Sequence, residues 1–354
     1  MTQPPYRMER VGVLMTADPA DPLEAWGVLN PASARDRDGA LYLFPRLVAE
    51  GNVSRVGRAR VLFDEAGAPC GVERLGVVLE PTESWEKNAL GGGVEDPRIT
   101  FVPSLDRYLM AYTAYGPMGP RVAVAASSDL IEWERLGPVS YGYEGALGMD
   151  FQLVPNKDAM FFPEPVPGPD GVLSYAMLHR PMWDLSWIRP GEGEPLPHGV
   201  TDPRPGIWVS YVPASDVQAD IRALTHVAQH RLVALSEQPW ESLKIGAGTV
   251  PIRIPEGWMF LFHGVDGHFV RDTVLQPKVR YAAGAMILAA DDPSRVVSRS
   301  VDPLLEPEVA GELDGIVPNV VFPTALDPID ADQSFVFYGM ADSRIGVARL
   351  SRTS

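Results

Sequence analysis

Glu95 and Asp96 are adjacent carboxylates within GGGVEDPRIT, Gly91 to Thr100, with three glycines ahead of them and Pro97 and Arg98 behind. A carboxyl group works as a general acid or base when its surroundings tune its affinity for a proton. The same residue types also build ordinary turns, because aspartate caps and proline fixes φ. Taken alone, the stretch does not separate chemistry from a solvated turn. Its company matters more. Polar clusters recur at NPAS from Asn30, NKDAMFFPEP from Asn156, SLKIGAG from Ser242 and VPNVVFP from Val317. If these clusters converge, carboxylates, amides and cations from distant parts of the chain share one pocket.

Convergence requires a fold that brings them together. Short apolar segments rich in β-formers recur in pairs. The first members are ALYLFPRLV from Ala40, RYLMAYTAYG from Arg107, LSYAMLHRP from Leu173, WMFLFHGVD from Trp258 and SFVFYGMAD from Ser334. Their partners begin at Val56, Arg121, Gly206, Tyr281 and Arg344. Five hairpins at intervals of roughly 65 to 85 residues leave room for one or two further strands each. Several four-stranded sheets in one chain suggest radial closure, which leaves few exposed edges. The expected fold is all-β: one five-bladed β-propeller domain over residues 1–354, with its active site in the central channel. Blades are expected to start near 30, 95, 156, 243 and 317, with insertions at 181–206 and 214–230. The best helix candidate is Asp216–Gln229.

Composition narrows the function classes. The chain has 354 residues, 45% of them hydrophobic, so a packed core is expected rather than disorder. A formal net charge of -16, with no basic run, argues against nucleic-acid binding. The lone cysteine, Cys70, allows no disulfide framework. The first ten residues lack an apolar signal core, and no apolar run reaches the ~18 residues of a membrane span. A soluble cytoplasmic protein is the simplest expectation. The few histidines lack metal-ligand spacing, so no metal and no cofactor are expected.

The ordered motifs NPA, GVEDPRIT, NKDAMFFPE, MLHRP, SLKIGAG, GWMFLFHGV, VPNVVFP and YGMADSRIGVA, from Asn30 to about Arg349, resemble glycoside hydrolase family 130, the β-mannoside phosphorylases and related mannosidases. The resemblance implies a five-bladed propeller, in agreement with the hairpin count. It places the catalytic acid on Asp96, with its proton passed through a sugar hydroxyl. Burial and nearby negative charge would raise its pKa. Glu95 is then a structural partner that anchors the loop or binds Arg98, and Arg98 braces the acidic pair.

By the same resemblance, Lys157, Arg180, Lys244 and His263 hold inorganic phosphate as co-substrate. Lysine at 157 keeps the charge of the family's usual arginine but loses its bidentate fork. Asp158, where the family has asparagine, would repel phosphate if it pointed inward. Asn30, Arg46 and Asp342 map to sugar-contacting positions. Glu164 either supports the basic cluster or acts as base in a hydrolase. Trp183 and Trp187, in the Pro/Gly-rich insertion, could stack on an acceptor sugar, pin the loop, or make an oligomer contact. Trp85 and Tyr115 are comparable candidates near the mouth.

The leading expectation is an inverting β-mannoside phosphorylase that forms α-mannose 1-phosphate. The alternatives are an inverting β-mannosidase on the same scaffold and a non-catalytic sugar-binding propeller. The partners are a β-mannoside and phosphate, with no nucleic acid and no membrane; a homo-oligomer is compatible with the sequence.

Overall fold

A computed structural model describes residues 3–88, 91–186, 190–270 and 276–353. Trp187 lies outside the described residues. The fold is all-β, and no helix of the described residues is long and apolar enough to cross a membrane.

Five antiparallel units of four strands follow one another. Unit one runs Gly27–Arg35, Leu41–Ala49, Val53–Phe63, Pro69–Leu79, and unit two Gly92–Val102, Arg107–Gly116, Gly119–Ser127, Glu134–Pro138. Unit three runs Asn156–Phe161, Leu173–Pro181, Ile207–Pro213, His226–Ala234, and unit four Lys244–Ala247, Gly257–Gly267, Val279–Leu288, Val296–Arg299. Unit five runs Val321–Pro328, Gln333–Met340, Arg344–Arg352, and its fourth strand is the N-terminal Tyr6–Thr16, paired antiparallel with Arg344–Arg352. All five expected hairpins are the second and third strands of these units. Tyr6–Thr16 was not anticipated, because its partner lies at the other end of the chain. Units one and two also touch through a short parallel pairing of Val53 with Gly92 and Ser54 with Gly93.

The apolar runs of the second strands follow from two-sided burial. Side chains alternate across a strand, so Leu109 and Ala111 pack toward unit three while Tyr108, Met110 and Tyr112 pack toward unit one. Met177 and Leu178, then Phe260 and Leu261, divide in the same way. The described residues form a core cluster between each successive pair of units, and another between unit five and unit one, where Leu14, Phe335 and Phe337 meet Val28, Leu41 and Leu43. Each buried Leu or Phe contributes roughly 1.5–3 kcal/mol. The first strands lie side by side: that of unit one against those of units two and five, that of unit two against unit three, and that of unit three against unit four.

A polar device repeats in four units. A buried glutamate in the short helical turn before the first strand accepts from an arginine on the fourth strand. The pairs are Glu24–Arg74 at 2.9 Å, Glu86–Arg135 at 2.8 Å, Glu241–Arg299 at 2.6 Å and Glu312–Arg10 at 2.9 Å. Each glutamate also accepts from backbone N–H, which offsets part of the cost of burying its charge.

The helix expected over Asp216–Gln229 is much shorter. Ala214–Ala219 is α-helical, Ile221–Thr225 forms a 3-10 turn, and His226–Ala234 is strand. Asp220 is extended, with φ -150°, and accepts from the Arg222 N–H, ending one helix and capping the next. Pairing with Ile207–Pro213 then draws the remainder into the sheet.

Candidate active site

The first strands of units one, two and three each carry a two-residue irregularity in register, at Asn30–Pro31, Asp96–Pro97 and Asp158–Ala159. Asn30, Asp96 and Asp158 take φ of 43°, 47° and 54°. Left-handed backbone is uncommon outside glycine but most accessible to Asn and Asp. A bulge re-aims a side chain, and here three equivalent bulges aim polar groups into one space. Pro31 and Pro97 fit because a bulge already leaves a ladder N–H unused. Asp342, with φ 48° in the turn between two strands of unit five, joins them.

These residues line a cavity of about 250 Å³ with Arg46, Lys157, Arg180, Met182, Lys244, His263, Tyr281, Val320 and Phe322. Of the expected site residues, Asn30, Arg46, Asp96, Lys157, Asp158, Arg180, Lys244, His263 and Asp342 therefore come together. Glu95 and Arg98 lie buried behind the lining. Glu164 does not join them. The strand Asn156–Phe161 carries the chain away from the cavity, and Glu164 is exposed in the bend beyond it. Trp183 is fully buried against Phe151 and Trp208, so it pins its loop and presents no face to a sugar. Trp85 lines a separate cleft with Met118 and Arg121. Tyr115 is nearer, its ring 5.4 Å from the Lys157 ammonium. Sequence reading missed Tyr281 and Phe322, whose only signal was an aromatic residue at or near the start of a strand.

One end of the cavity is a dense ionic network. Asp96 Oδ1 accepts from Asn30 Nδ2 at 2.9 Å and from Arg46 Nη1 at 3.3 Å. Glu95 bridges two cations, Arg46 Nη2 at 3.0 Å and Lys157 Nζ at 3.1 Å. Its partner is thus not Arg98. Arg98 donates instead to the backbone carbonyls of Asp96 and Pro97, each at 3.0 Å, and to that of Gly248. It braces the bulge rather than the carboxylates.

The charges resolve the acids in an unexpected order. Burial pushes Asp96 up, but the cations of Arg46, Lys157 and Arg98 and the Asn30 hydrogen bond outweigh it, and its pKa lies below the usual range. Asp342 behaves oppositely. Burial and the neighbouring Asp96 push it up to about 6, against the pull of Arg46 and the lysines.

The other end is short of counter-charge. Arg180 Nε donates to Asp158 Oδ2 at 2.6 Å, while Arg180 Nη1 is buried without a hydrogen-bond partner. Asp158 stays ionised despite burial because Arg180 and its neighbours hold its pKa well down. Lys244 lies 5.3 Å from the Tyr281 ring and 5.2 Å from that of Phe269, with no carboxylate within ion-pair distance among the described residues. Burial, with Arg180 and Lys157 nearby, pushes Lys244 down to about 7. His263 is not the cation anticipated. Burial drives it down to about 3, leaving a neutral ring stacked near Tyr281 with Nδ1 unpartnered.

Two glycines make room for this arrangement. Gly93 has φ 113°, and a Cβ there would strike the backbone of Ser54. At Gly246 a Cβ would overlap Asp158 Oδ2 and the His263 ring.

Among the described residues, no group of three or more His, Cys, Asp or Glu side chains could hold a metal ion. The cavity gathers the cations of Arg46, Lys157, Arg180 and Lys244, neutral donors, and three carboxyl groups, Asp96, Asp158 and Asp342, of different proton affinity.

Comparison with known proteins follows the same lines. The family model of glycoside hydrolase family 130, described as beta-1,4-mannooligosaccharide phosphorylase, matches residues 10–353. A 1,2-beta-oligomannan phosphorylase of Thermoanaerobacter sp. (strain X514) is 31% identical over 331 residues, 92% of this chain and 90% of that protein. A beta-1,4-mannooligosaccharide phosphorylase of Ruminococcus albus is 30% identical over 279 residues, 77% and 67% of the two chains. The fold is shared with a solved beta-1,2-mannobiose phosphorylase of Listeria innocua, with TM-score 0.70 and 20% identity, covering 98% of this chain and 96% of that one. With a family match along almost its whole length, the chain belongs to glycoside hydrolase family 130.

Proposed function

We propose that the protein is an inverting β-mannoside phosphorylase, cleaving a terminal β-mannosyl unit with inorganic phosphate to give α-mannose 1-phosphate and a shortened acceptor. We read the five units as blades of one five-bladed β-propeller, supported by the core clusters between every successive pair, including the last and first. The site residues then sit at one end of the central channel.

The observation that carries the reaction is the shortage of counter-charge around Arg180 and Lys244. A buried guanidinium nitrogen without a partner and a part-buried ammonium without a carboxylate are costly unless an anion completes them. Phosphate suits both, accepting from Arg180 Nη1 and Lys244 Nζ, with His263 and Lys157 close by. It needs no general base, because it is already an anion. Asn30, Arg46 and Asp342 hold the mannosyl hydroxyls. Asp96 supplies the proton to the departing oxygen through a sugar hydroxyl. Protein cations hold Asp96 low; a bound phosphate adds negative charge nearby and raises its proton affinity toward what an acid requires. The co-substrate thereby readies the acid.

Asp342 gives the hydrolytic reading its one support. With its pKa pushed up to about 6, it is ionised near neutrality and could serve as base toward water. The deciding experiment incubates β-1,2-, β-1,3- and β-1,4-mannosides with and without phosphate and follows ³¹P NMR. Phosphate-dependent appearance of α-mannose 1-phosphate supports phosphorolysis. Equal cleavage without phosphate, releasing free mannose, would overturn it. The β-1,2 linkage is the first to try, after the oligomannan phosphorylase matched along 92% of this chain.

A further inference from the structure

Among the described residues, unit three, which carries Lys157, Asp158 and Arg180, has no buried glutamate–arginine pair like that of the other four units; its Glu144–Arg231 pair is half-exposed, and Glu144 accepts from the His230 backbone N–H. Its turn before the first strand is Phe151–Leu153, and Phe151 stacks on His230, ring centroids 4.7 Å apart at 18°. His230 lies on the fourth strand, where the other units place their arginine. From it a chain of hydrogen bonds runs inward across all four strands. Asn156 Nδ2 lies 3.0 Å from His179 Nδ1, and His179 Nε2 lies 2.7 Å from Ser210 Oγ. Ser210 Oγ lies 2.7 Å from His230 Nδ1, and His230 Nε2 lies 2.8 Å from the Gly142 carbonyl. All four side chains are buried.

Asn156 Oδ1 also lies 3.3 Å from His179 Nδ1, but with both rings neutral only one set of protons satisfies every member. The Gly142 carbonyl can only accept, so His230 donates from Nε2 and accepts at Nδ1. Ser210 therefore donates to His230 and accepts from His179 Nε2–H. His179 then accepts at Nδ1 from the Asn156 amide. Both imidazoles are neutral Nε2–H tautomers, in keeping with the burial that lowers their pKa values. The chain has a fixed direction, and that direction fixes which way the Asn156 amide faces.

Asn156 directly precedes Lys157 and Asp158, and His179 directly precedes Arg180. We propose that the Asn156–His179–Ser210–His230 wire is a positioning device for the phosphate end of the site, holding the Lys157–Asp158 bulge and Arg180 in register without a buried charge behind them. A buried carboxylate in the turn of unit three, as at Glu86 or Glu241, would add negative charge to the unit that carries Arg180 and Lys157 and weaken their pull on an anion. A neutral wire supplies the same cross-strand tie and adds no second buried carboxylate to the one, Asp158, that already pairs with Arg180. This rests on the phosphorolysis reading of the site.

The test uses Ser210→Ala, which removes the shared hydroxyl at little change in volume, and Ser210→Thr, which restores it. We expect Ser210→Ala to raise the KM for phosphate roughly fivefold to tenfold, the value of one or two buried hydrogen bonds. The KM for the mannoside and kcat at saturating phosphate stay within about twofold, and Ser210→Thr recovers most of the loss. An unchanged KM for phosphate in folded Ser210→Ala overturns the proposal. So does a uniform loss across kcat and both KM values, which is what mere destabilisation gives. A second readout, ¹⁵N NMR of wild-type imidazoles at pH 7, is expected to find His179 and His230 neutral and protonated at Nε2. A charged ring or an Nδ1–H tautomer at either position overturns the wire directly. Phosphate-independent turnover by the wild type would sink the phosphorolysis reading instead, and the wire would then stand or fall on the tautomers.

Discussion

Asp158 Oδ2 accepts from Arg180 Nε at 2.6 Å while Arg180 Nη1, on the same guanidinium, has no hydrogen-bond partner. The carboxylate expected to repel phosphate therefore takes only one edge of a guanidinium that lines the cavity and leaves Nη1 without a partner. Asp158→Asn leaves the guanidinium buried without its counter-charge, which costs about 3–5 kcal/mol. Thermal unfolding should show a clear fall in Tm. Phosphate should restore more of it than it adds to the wild type, because the anion replaces the missing charge. Equal phosphate gains in the two proteins would remove Asp158 from this role.

Lys244 makes the phosphate site sensitive to pH. Its ammonium is pushed down to about 7, so it carries charge below that pH and loses it above. Phosphate favours the charged form, so the KM for phosphate should climb as pH rises through about 7 to 9. In Lys244→Arg the guanidinium stays charged throughout, and the climb should flatten. Ionisation of phosphate itself is common to both proteins, so their ratio isolates the lysine. Parallel profiles would show that Lys244 does not titrate against the anion.

Asp96→Asn removes the proposed proton but keeps the size and much of the polarity of the side chain. Loss of a general acid lowers kcat by about 10²–10⁴-fold on a substrate whose leaving group needs the proton. An aryl mannoside with an acidic leaving group should lose far less. The ratio of the two losses is the measurement. Similar losses on both substrates would point to a binding role for Asp96, with the Asn30 and Arg46 contacts as its cause.

Most of the lining was legible because it is made of motif residues at strand starts. Asn30, Asp96 and Asp158 sit where a short polar cluster interrupts an apolar strand, and the bulge that aims each is encoded locally. What escaped is non-local. Nothing near Glu95 indicates that Arg46 and Lys157 will flank it, and nothing near Tyr6–Thr16 indicates a partner at Arg344–Arg352. Protonation was least legible of all. Asp96 falls and Asp342 rises because of cations brought from other units, a property of the assembled cavity rather than of either stretch of sequence. Glu164 failed for the opposite reason: its neighbours in sequence suggested a site that the strand leaves behind.

Gly246 tests whether the room around Asp158 matters as much as the charges. It pairs with His263 across the ladder, and a methyl there would meet both Asp158 Oδ2 and the imidazole. Neither neighbour can yield freely: Asp158 is tied to Arg180, and His263 is wedged between Tyr281 and Phe322. Gly246→Ala should therefore cost about 1–3 kcal/mol by overpacking. Its mark on activity should fall on one side of the reaction, with a raised KM for phosphate and a nearly unchanged KM for the mannoside. Gly12→Ala is the control, since no atom lies within 4 Å of a Cβ there, and its effect should stay within about 0.5 kcal/mol. If Gly246→Ala binds phosphate as the wild type does, the cradle does not depend on the placement of Asp158, and the charge argument for Arg180 must stand without it.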